Sequence, residues 1–170
     1  MTRFQKVADY MHPPKVVLAP TQTITDALAI MQQSQAGWAP VVDSRNQLVG
    51  VLTEHDLLID LWCCDYRPSM DLTVQELMQQ QVVALSPRDL IRDLAEQICI
   101  DVEQVYPTSV MGRATALCSL SLKERVRQSK PAKPHQYPVV ENGQLVGTMS
   151  RHDLLRALSP LYGESVAKAS

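Results

Sequence analysis

Two short stretches of the chain carry residues that could do chemistry. Gly50-Val51-Leu52-Thr53-Glu54-His55-Asp56 and Gly147-Thr148-Met149-Ser150-Arg151-His152-Asp153 each place a glycine, then a hydroxyl, then a carboxylate three residues further on. A hydroxyl at an N-cap with a carboxylate in the first turn marks a helix start, where unpaired backbone N–H groups and the helix dipole favour an anion. A phosphate can be held there. An ionised aspartate is acceptor-only and can take two donors at once, and the cis-diol of a ribose offers two. A glycine on the preceding strand would let a ligand come close to the backbone. The same Thr/Ser-x-x-Asp spacing is also simply a capping box, which accounts for Thr53, Asp56, Ser150 and Asp153 with no ligand at all. Capping does not require Gly50, Gly147 or the paired His55 and His152, although each histidine also reads as a solvent-facing first-turn residue. Charge separates the copies. Arg151 stands where the first copy has Glu54, which makes the Ser150 helix start the better host for a polyphosphate.

The elements that must position these residues are themselves repeated. Pro40 to Leu58 returns as Pro138 to Leu155, with one residue fewer in the turn. Each copy reads as an apolar strand, a polar turn (Ser44-Arg45-Asn46, then Asn142-Gly143), a second apolar strand and a helix opening on Thr53 or Ser150. A repeated sequence implies a repeated structure. Upstream, Val7, Ala8 and Met11 suggest a short helical segment stopped by Pro13-Pro14, and Val16 to Leu18 a strand. Thr23 and Asp26 have capping-box spacing, followed by Ile24, Ala27, Leu28 and Met31 on one helix face. The helix after Thr53 is expected to bury Leu57, Leu58, Leu61 and Trp62.

At an offset of 67 residues, Val74 to Met78 echo Val7 to Met11, Val83 to Leu85 echo Val16 to Leu18, and Ile91, Leu94, Ala95 and Ile98 restate the helical stripe. By Pro138 the offset is 98, so about 31 residues are inserted within Cys99 to Gln136. The expected organisation is a first repeat at 4–66, a linker at 67–72, a second repeat at 73–160 with its insertion at about 99–136, and a flexible tail at 161–170. The insertion carries a possible helix, Leu122 to Ser129, among Arg113, Lys123, Arg125, Arg127, Lys130 and Lys133. A basic run without aromatic residues lacks the stacking platforms that single-stranded nucleic acid needs, so a solvated helix or a partner surface is the better reading.

With 170 residues, 45% hydrophobic and 20% charged, the chain is long enough for one compact domain or two small interlocked ones. A net charge of −2 gives no global drive toward nucleic acid or an anionic membrane. No apolar run reaches signal-peptide or membrane-spanning length, so a cytoplasmic protein is expected. The four cysteines, including adjacent Cys63 and Cys64, show no CxxC spacing and read as buried free thiols, with no metal site. No nucleophile elbow, P-loop or HExxH is present, and no catalytic residue is expected.

Together these residues resemble the signature of CBS domains, tandem pairs of which form a Bateman module. The matching positions are Pro40-Val41-Val42-Asp43, Gly50 to Leu57, and Pro20 through Ile24, Asp26 and Ala27. In the second copy they are Pro138-Val139-Val140-Glu141, Gly147 to Leu154, and Pro87 through Ile91 and Asp93. Thr148 departs from the motif's hydrophobic position, and Leu94 replaces the alanine seen at Ala27. The resemblance implies an α/β (α+β) fold of two β-α-β-β-α repeats packed about a pseudo-twofold axis, with two clefts between them. It implies ribose binding by Asp56 and Asp153, phosphate binding by Thr53, Ser150, His135, Gly37 and Arg151, and adenine contacts from Met11, Val16, Ala36, Val51, Met78, Val83 and Pro134. One cleft would combine Thr53 and Asp56 with Met78, Val83, Pro134 and His135. The other would combine Ser150 and Asp153 with Met11, Val16, Ala36 and Gly37. The implied ligand is AMP, ADP or ATP, with S-adenosylmethionine or NAD as alternatives, in a regulatory homodimer acting on another protein. A ligand-free interaction module using the insertion, and nucleic-acid binding through it, are the competing readings.

Overall fold

The computed structural model describes residues 5–99 and 134–161. Two antiparallel hairpins form its centre: β1 (Trp38–Val42) with β2 (Leu48–Thr53), and β3 (Gln136–Glu141) with β4 (Gln144–Ser150). The second turn closes on Asn142 and Gly143 with φ of +52° and +83°, the left-handed pair that matches the twist of the strands it joins. The first, longer turn uses Asn46 at φ +61°. Both hairpins shift register at the same point, after Val41 and after Val139. Their turn ends meet, with the Leu48 N–H donating to the Gly143 carbonyl at 3.1 Å and the Leu145 N–H to that of Asn46 at 3.0 Å. This reciprocal join relates the two repeats.

The expected strands Val16 to Leu18 and Val83 to Leu85 shrink to one parallel bridge each, Leu18 to Val41 and Leu85 to Val139. Proline explains both. Extending the ladder one way would need an N–H from Pro40 or Pro138, and extending it the other way one from Pro20 or Pro87; none of these residues has one.

Helix α1 (Ile24–Gln33) is capped by the Thr23 hydroxyl, which accepts from the Asp26 N–H, and buries Ala27 and Met31 while Leu28 stays exposed. Helix α2 (Glu54–Cys63) buries Leu57. Leu58 and Trp62, expected to be buried with it, are 64% and 70% exposed, because they lie on the side turned away from the first repeat's core. Cys63, at the end of α2, is likewise exposed and Cys64 half-buried, against the expectation of buried thiols. Short α3 (Val74–Leu77) leads into α4 (Ile91–Cys99), where Ile91, Leu94 and Ile98 are buried, and α5 (Arg151–Leu158) follows β4.

Two apolar cores result, and each borrows its first turn from the other repeat. The turn Val7–Asp9 places Val7 among Leu85, Ile91, Leu94, Val139 and Met149, while Val74 packs with Val16, Leu18, Ala27, Val41 and Leu52. Hydrogen bonds pin both exchanges: the Val7 N–H donates to the Asp89 carbonyl at 2.9 Å, and the Val74 N–H to that of Gln22 at 2.9 Å. Full burial of a valine is worth about 1.5–3 kcal/mol, so each exchanged turn helps to hold the pair together. The expected units 4–66 and 73–160 are therefore interlocked at their starts. The insertion helix Leu122 to Ser129 and residues 162–170 of the tail lie outside the described residues.

Candidate functional site

Both helix starts form complete capping boxes. The Thr53 hydroxyl accepts from the Asp56 N–H at 3.2 Å, and Asp56 Oδ2 accepts from the Thr53 N–H at 2.9 Å and its hydroxyl at 2.6 Å. The Ser150 and Asp153 pair repeats this at 3.2, 2.9 and 2.7 Å. In each case the cap occupies Oδ2 and leaves Oδ1 turned toward a segment from the other repeat. Gln79 Nε2 donates to Asp56 Oδ1 at 2.7 Å. His12 Nε2 lies 2.9 Å from Asp153 Oδ1, and an Arg156 guanidinium nitrogen lies 3.3 Å from the same oxygen.

The 67-residue offset that pairs Met11 with Met78 also pairs His12 with Gln79. Neither His12 nor Gln79 was singled out by composition or motif. That offset is the signal that finds them. Both segments reach their aspartates by bridging to the opposite hairpin, Val51 with Gln79 and Thr148 with His12, each through two backbone hydrogen bonds of 2.7–3.0 Å. The glycines serve this crossing. A Cβ on Gly50 would lie 2.7 Å from Met78 Sδ and 2.9 Å from the Gln79 carbonyl, and one on Gly147 would lie 3.1 Å from that of His12. The space expected to admit a ligand is taken up by the chain itself.

Burial pushes the Asp153 carboxyl up, but the Ser150 hydroxyl and N–H, together with His12, outweigh it and leave the pKa below the usual carboxylate value. Asp153 is 7% exposed, a buried carboxylate held ionised by donors from two repeats. Burial raises the Tyr137 phenol above its ordinary value, with the Arg151 guanidinium opposing. Arg151 Nε donates to the Pro134 carbonyl at 3.1 Å and its backbone N–H to that of His135 at 3.0 Å, tying the segment before β3 to the start of α5.

A cavity of about 560 Å³ opens between the repeats, within the range that holds small ligands. Thr53, Val51, Val83, Pro134 and His135 line it, as do Gly37, Trp38, Glu54, His55 and Gln79. Asp56 and Met78 stand just behind this wall, Asp56 through its bond to Gln79 and Met78 against Gly50. Met11 packs against Gly147 on the Asp153 side.

Three expected neighbours of Asp153 are elsewhere. Gly37 lines the Thr53 cavity, because it directly precedes Trp38, the residue paired with Thr53, and its carbonyl accepts from the Glu54 N–H at 3.0 Å. Val16 and Ala36 are buried in the first repeat's core. Hairpin register, rather than any motif, decides these positions. Among the described residues no cluster of three or more His, Cys, Asp or Glu side chains could hold a metal ion, and no helix is long and apolar enough to cross a membrane.

Comparison with known proteins matches this arrangement to one family. The CBS domain model matches residues 7–62 and 123–160, more than half of the chain. A relative from Arabidopsis thaliana, the chloroplastic CBS domain-containing protein CBSX2, is 25% identical over 94% of this chain, which spans 66% of that protein's length. The crystal structure of CBSX2 in complex with AMP superposes with a TM-score of 0.61 at 21% identity, over 92% of this chain and 98% of that one. The CBS domain pair of MJ0100, in complex with 5′-methylthioadenosine and S-adenosyl-L-methionine, gives 0.58 at 19% identity, over 95% and 98%.

Proposed function

The chain belongs to the CBS domain family as a tandem pair, and from that footing we propose that it is a regulatory, non-catalytic sensor of an adenosine-containing ligand. The observation that carries this reading is the disposition of the two aspartates. Each spends one carboxylate oxygen on its cap and turns the other, Oδ1, toward the segment contributed by the opposite repeat. A cis-diol can take over the bonds that Gln79 and His12 now make. The cavity beside Thr53 adds an apolar wall from Val51, Val83 and Pro134 for a base and the imidazoles of His55 and His135 for a phosphate. The complexes of CBSX2 with AMP and of MJ0100 with adenosyl ligands support this ligand class. AMP is the simplest candidate; ADP, ATP, S-adenosylmethionine and NAD share its ribose and base.

Partnership follows from the surface. Leu58, Trp62 and Tyr66 on and just beyond α2, and Leu155 at the matching place on α5, are large, apolar or aromatic, and exposed. Matching patches on two related helices suit an isologous homodimer, which would cover both. A cytoplasmic setting fits the free thiols of Cys63 and Cys64. A regulated protein partner belongs to the same proposal.

Mass spectrometry of the purified protein for bound nucleotides, followed by thermal denaturation with added AMP, tests the ligand reading. At ~100 times its dissociation constant a ligand stabilises a fold by about 2.7 kcal/mol. For a chain of this size the midpoint should rise by roughly 5 to 11 °C. A protein that purifies empty and does not respond to any adenosine ligand would instead be an interaction module.

A further inference from the structure

We propose that His12 is a proton-operated latch on the Asp153 cleft, so that protonation governs access of a ribose to Asp153 Oδ1, a control with no counterpart at Asp56 Oδ1. The proposal rests on the reading of both clefts as adenosine sites and names the regulation of one of them.

The geometry contains a conflict that protonation resolves. His12 Nε2 lies 2.9 Å from Asp153 Oδ1 and 2.8 Å from an Arg156 guanidinium nitrogen. Arginine offers only donors and an ionised carboxylate only acceptors. Nε2 therefore holds Asp153 when it bears a proton and accepts from Arg156 when it is bare; one nitrogen cannot do both. Protonation decides for Asp153, because an imidazolium beside a buried carboxylate forms an ion pair and repels the guanidinium. Loss of a proton removes the ion pair: the neutral ring either keeps a weaker hydrogen bond to Asp153 as the Nε2–H tautomer or accepts from Arg156 as the Nδ1–H tautomer, and both loosen His12 from the oxygen.

That oxygen is the one a diol needs. Oδ2 of Asp153 is committed to the Ser150 N–H and hydroxyl, so an incoming ribose must replace His12 at Oδ1. Proton and ligand then compete, and binding at acid pH expels the histidine's proton. The groups facing His12 are Asp153 and Arg156 from α5 and the Thr148 backbone from β4, which pairs with the His12 backbone and brings no charge. Arg156 does not titrate in the relevant range, and Asp153 stays ionised through it because its donors hold its pKa low. Of these three groups, the His12 imidazole is the one the latch turns on.

The opposite cleft is built without this device. Gln79, the counterpart of His12, is neutral at every pH, and the counterpart of Arg156 is Ile59. His12 is about half exposed, with 49% of its side chain open to solvent, so screening moderates the ion pair. The expected effect is about a tenfold loss of affinity at the Asp153 cleft between pH 8 and pH 5.5, a charged hydrogen bond discounted for exposure.

Calorimetric titration with AMP across that range tests the latch. Asp56→Asn leaves the Asp153 cleft to be read, Asp153→Asn leaves the Asp56 cleft, and a parallel titration with adenosine, which carries no phosphate, removes the phosphate's ionisation and its contacts with His55 and His135 from the comparison. The Asp56→Asn protein should lose about tenfold more affinity toward acid pH than the Asp153→Asn protein does. Adding His12→Gln, which copies Gln79, should erase that excess. Equal pH slopes in the two single variants, or an excess that survives His12→Gln, would overturn the latch while leaving the ligand reading intact. No AMP binding at either cleft at any pH would overturn the ligand reading instead. The latch is then decided without ligand by NMR titration of the His12 ring. Asp153→Asn should change that titration, and a titration left unchanged would overturn the contact.

Discussion

Asp56 and Asp153 hold matching places at the starts of α2 and α5, with the same cap on Oδ2, but their Oδ1 atoms meet different company. Asp56 faces the neutral amide of Gln79; Asp153 faces His12 and Arg156 and is the more deeply buried of the two. A shared backbone device, the crossing of one repeat's first turn onto the other's hairpin, thus delivers a different side chain to each aspartate. The fold repeats the crossing at both aspartates, and residues 12 and 79 make the two sites unlike in charge. The cavity tells the same story from the other side, since Glu54 places a carboxylate at the Thr53 rim where the second repeat has Arg151.

The crossing itself is the place to break this comparison hardest. Gly50→Ala would drive a Cβ to 2.7 Å from Met78 Sδ and 2.9 Å from a backbone oxygen, whereas Gly147→Ala meets its nearest atom at 3.1 Å. Overpacking costs about 1–3 kcal/mol, so Gly50→Ala should lie near the top of that range and Gly147→Ala near the bottom. Urea denaturation midpoints would show the order. Equal losses would mean that Met78 and Gln79 yield as readily as Met11 and His12.

A smaller effect separates the aspartates by acid titration. The folded-state pKa of Asp153 lies below its ordinary value of 3.8, so its bonds add stability that is fully present above that value and is lost as pH falls through the folded one. Asp153→Asn should therefore flatten the acid limb of stability below about pH 4. An acid limb unchanged by the substitution would mean that Ser150 and His12 hold the neutral acid as well as the carboxylate.

The pairing of repeats and the α+β class could be read from the sequence because the signals are local: an Asn-Gly turn between apolar runs, a capping hydroxyl before each helix, and the whole pattern written twice. What could not be read is what lies across a gap. The stripe Leu57, Leu58, Leu61 and Trp62 has helical spacing, but spacing does not say which side another surface covers, and Leu58 and Trp62 are open. Pro20, Pro40, Pro87 and Pro138 were visible, yet their removal of ladder hydrogen bonds acts only once the parallel register Leu18 to Val41 is known. The resemblance implies Gly37 on the Asp153 side, but hairpin pairing places it beside Thr53. His12 carries no motif, and it matters because the first turn crosses over.

The smallest change to the folded chain comes from the open face of α2. Trp62→Ala should alter unfolding free energy of the isolated chain by no more than about 0.5 kcal/mol, as expected for an exposed residue. Its effect should fall on assembly: sedimentation velocity should show a dimer for the wild type and a folded monomer for the variant. A variant as dimeric as wild type would remove α2 from the interface.

Calorimetric titration of AMP into wild-type, Asp56→Asn and Asp153→Asn proteins at one neutral pH and moderate salt tests the central claim most directly. A charged hydrogen bond is worth about 1.5 to 3 kcal/mol, so each substitution should weaken its own cleft roughly 10- to 150-fold while the fold survives. With ATP or ADP in place of AMP, Asp153→Asn should cost more than Asp56→Asn, because Arg151 lies at the second helix start and Arg156 reaches Asp153 from the same helix, whereas Glu54 lies at the first start. Equal losses with the polyphosphates would remove the charge asymmetry, and AMP affinity unchanged in both variants would reduce the two carboxylates to helix caps.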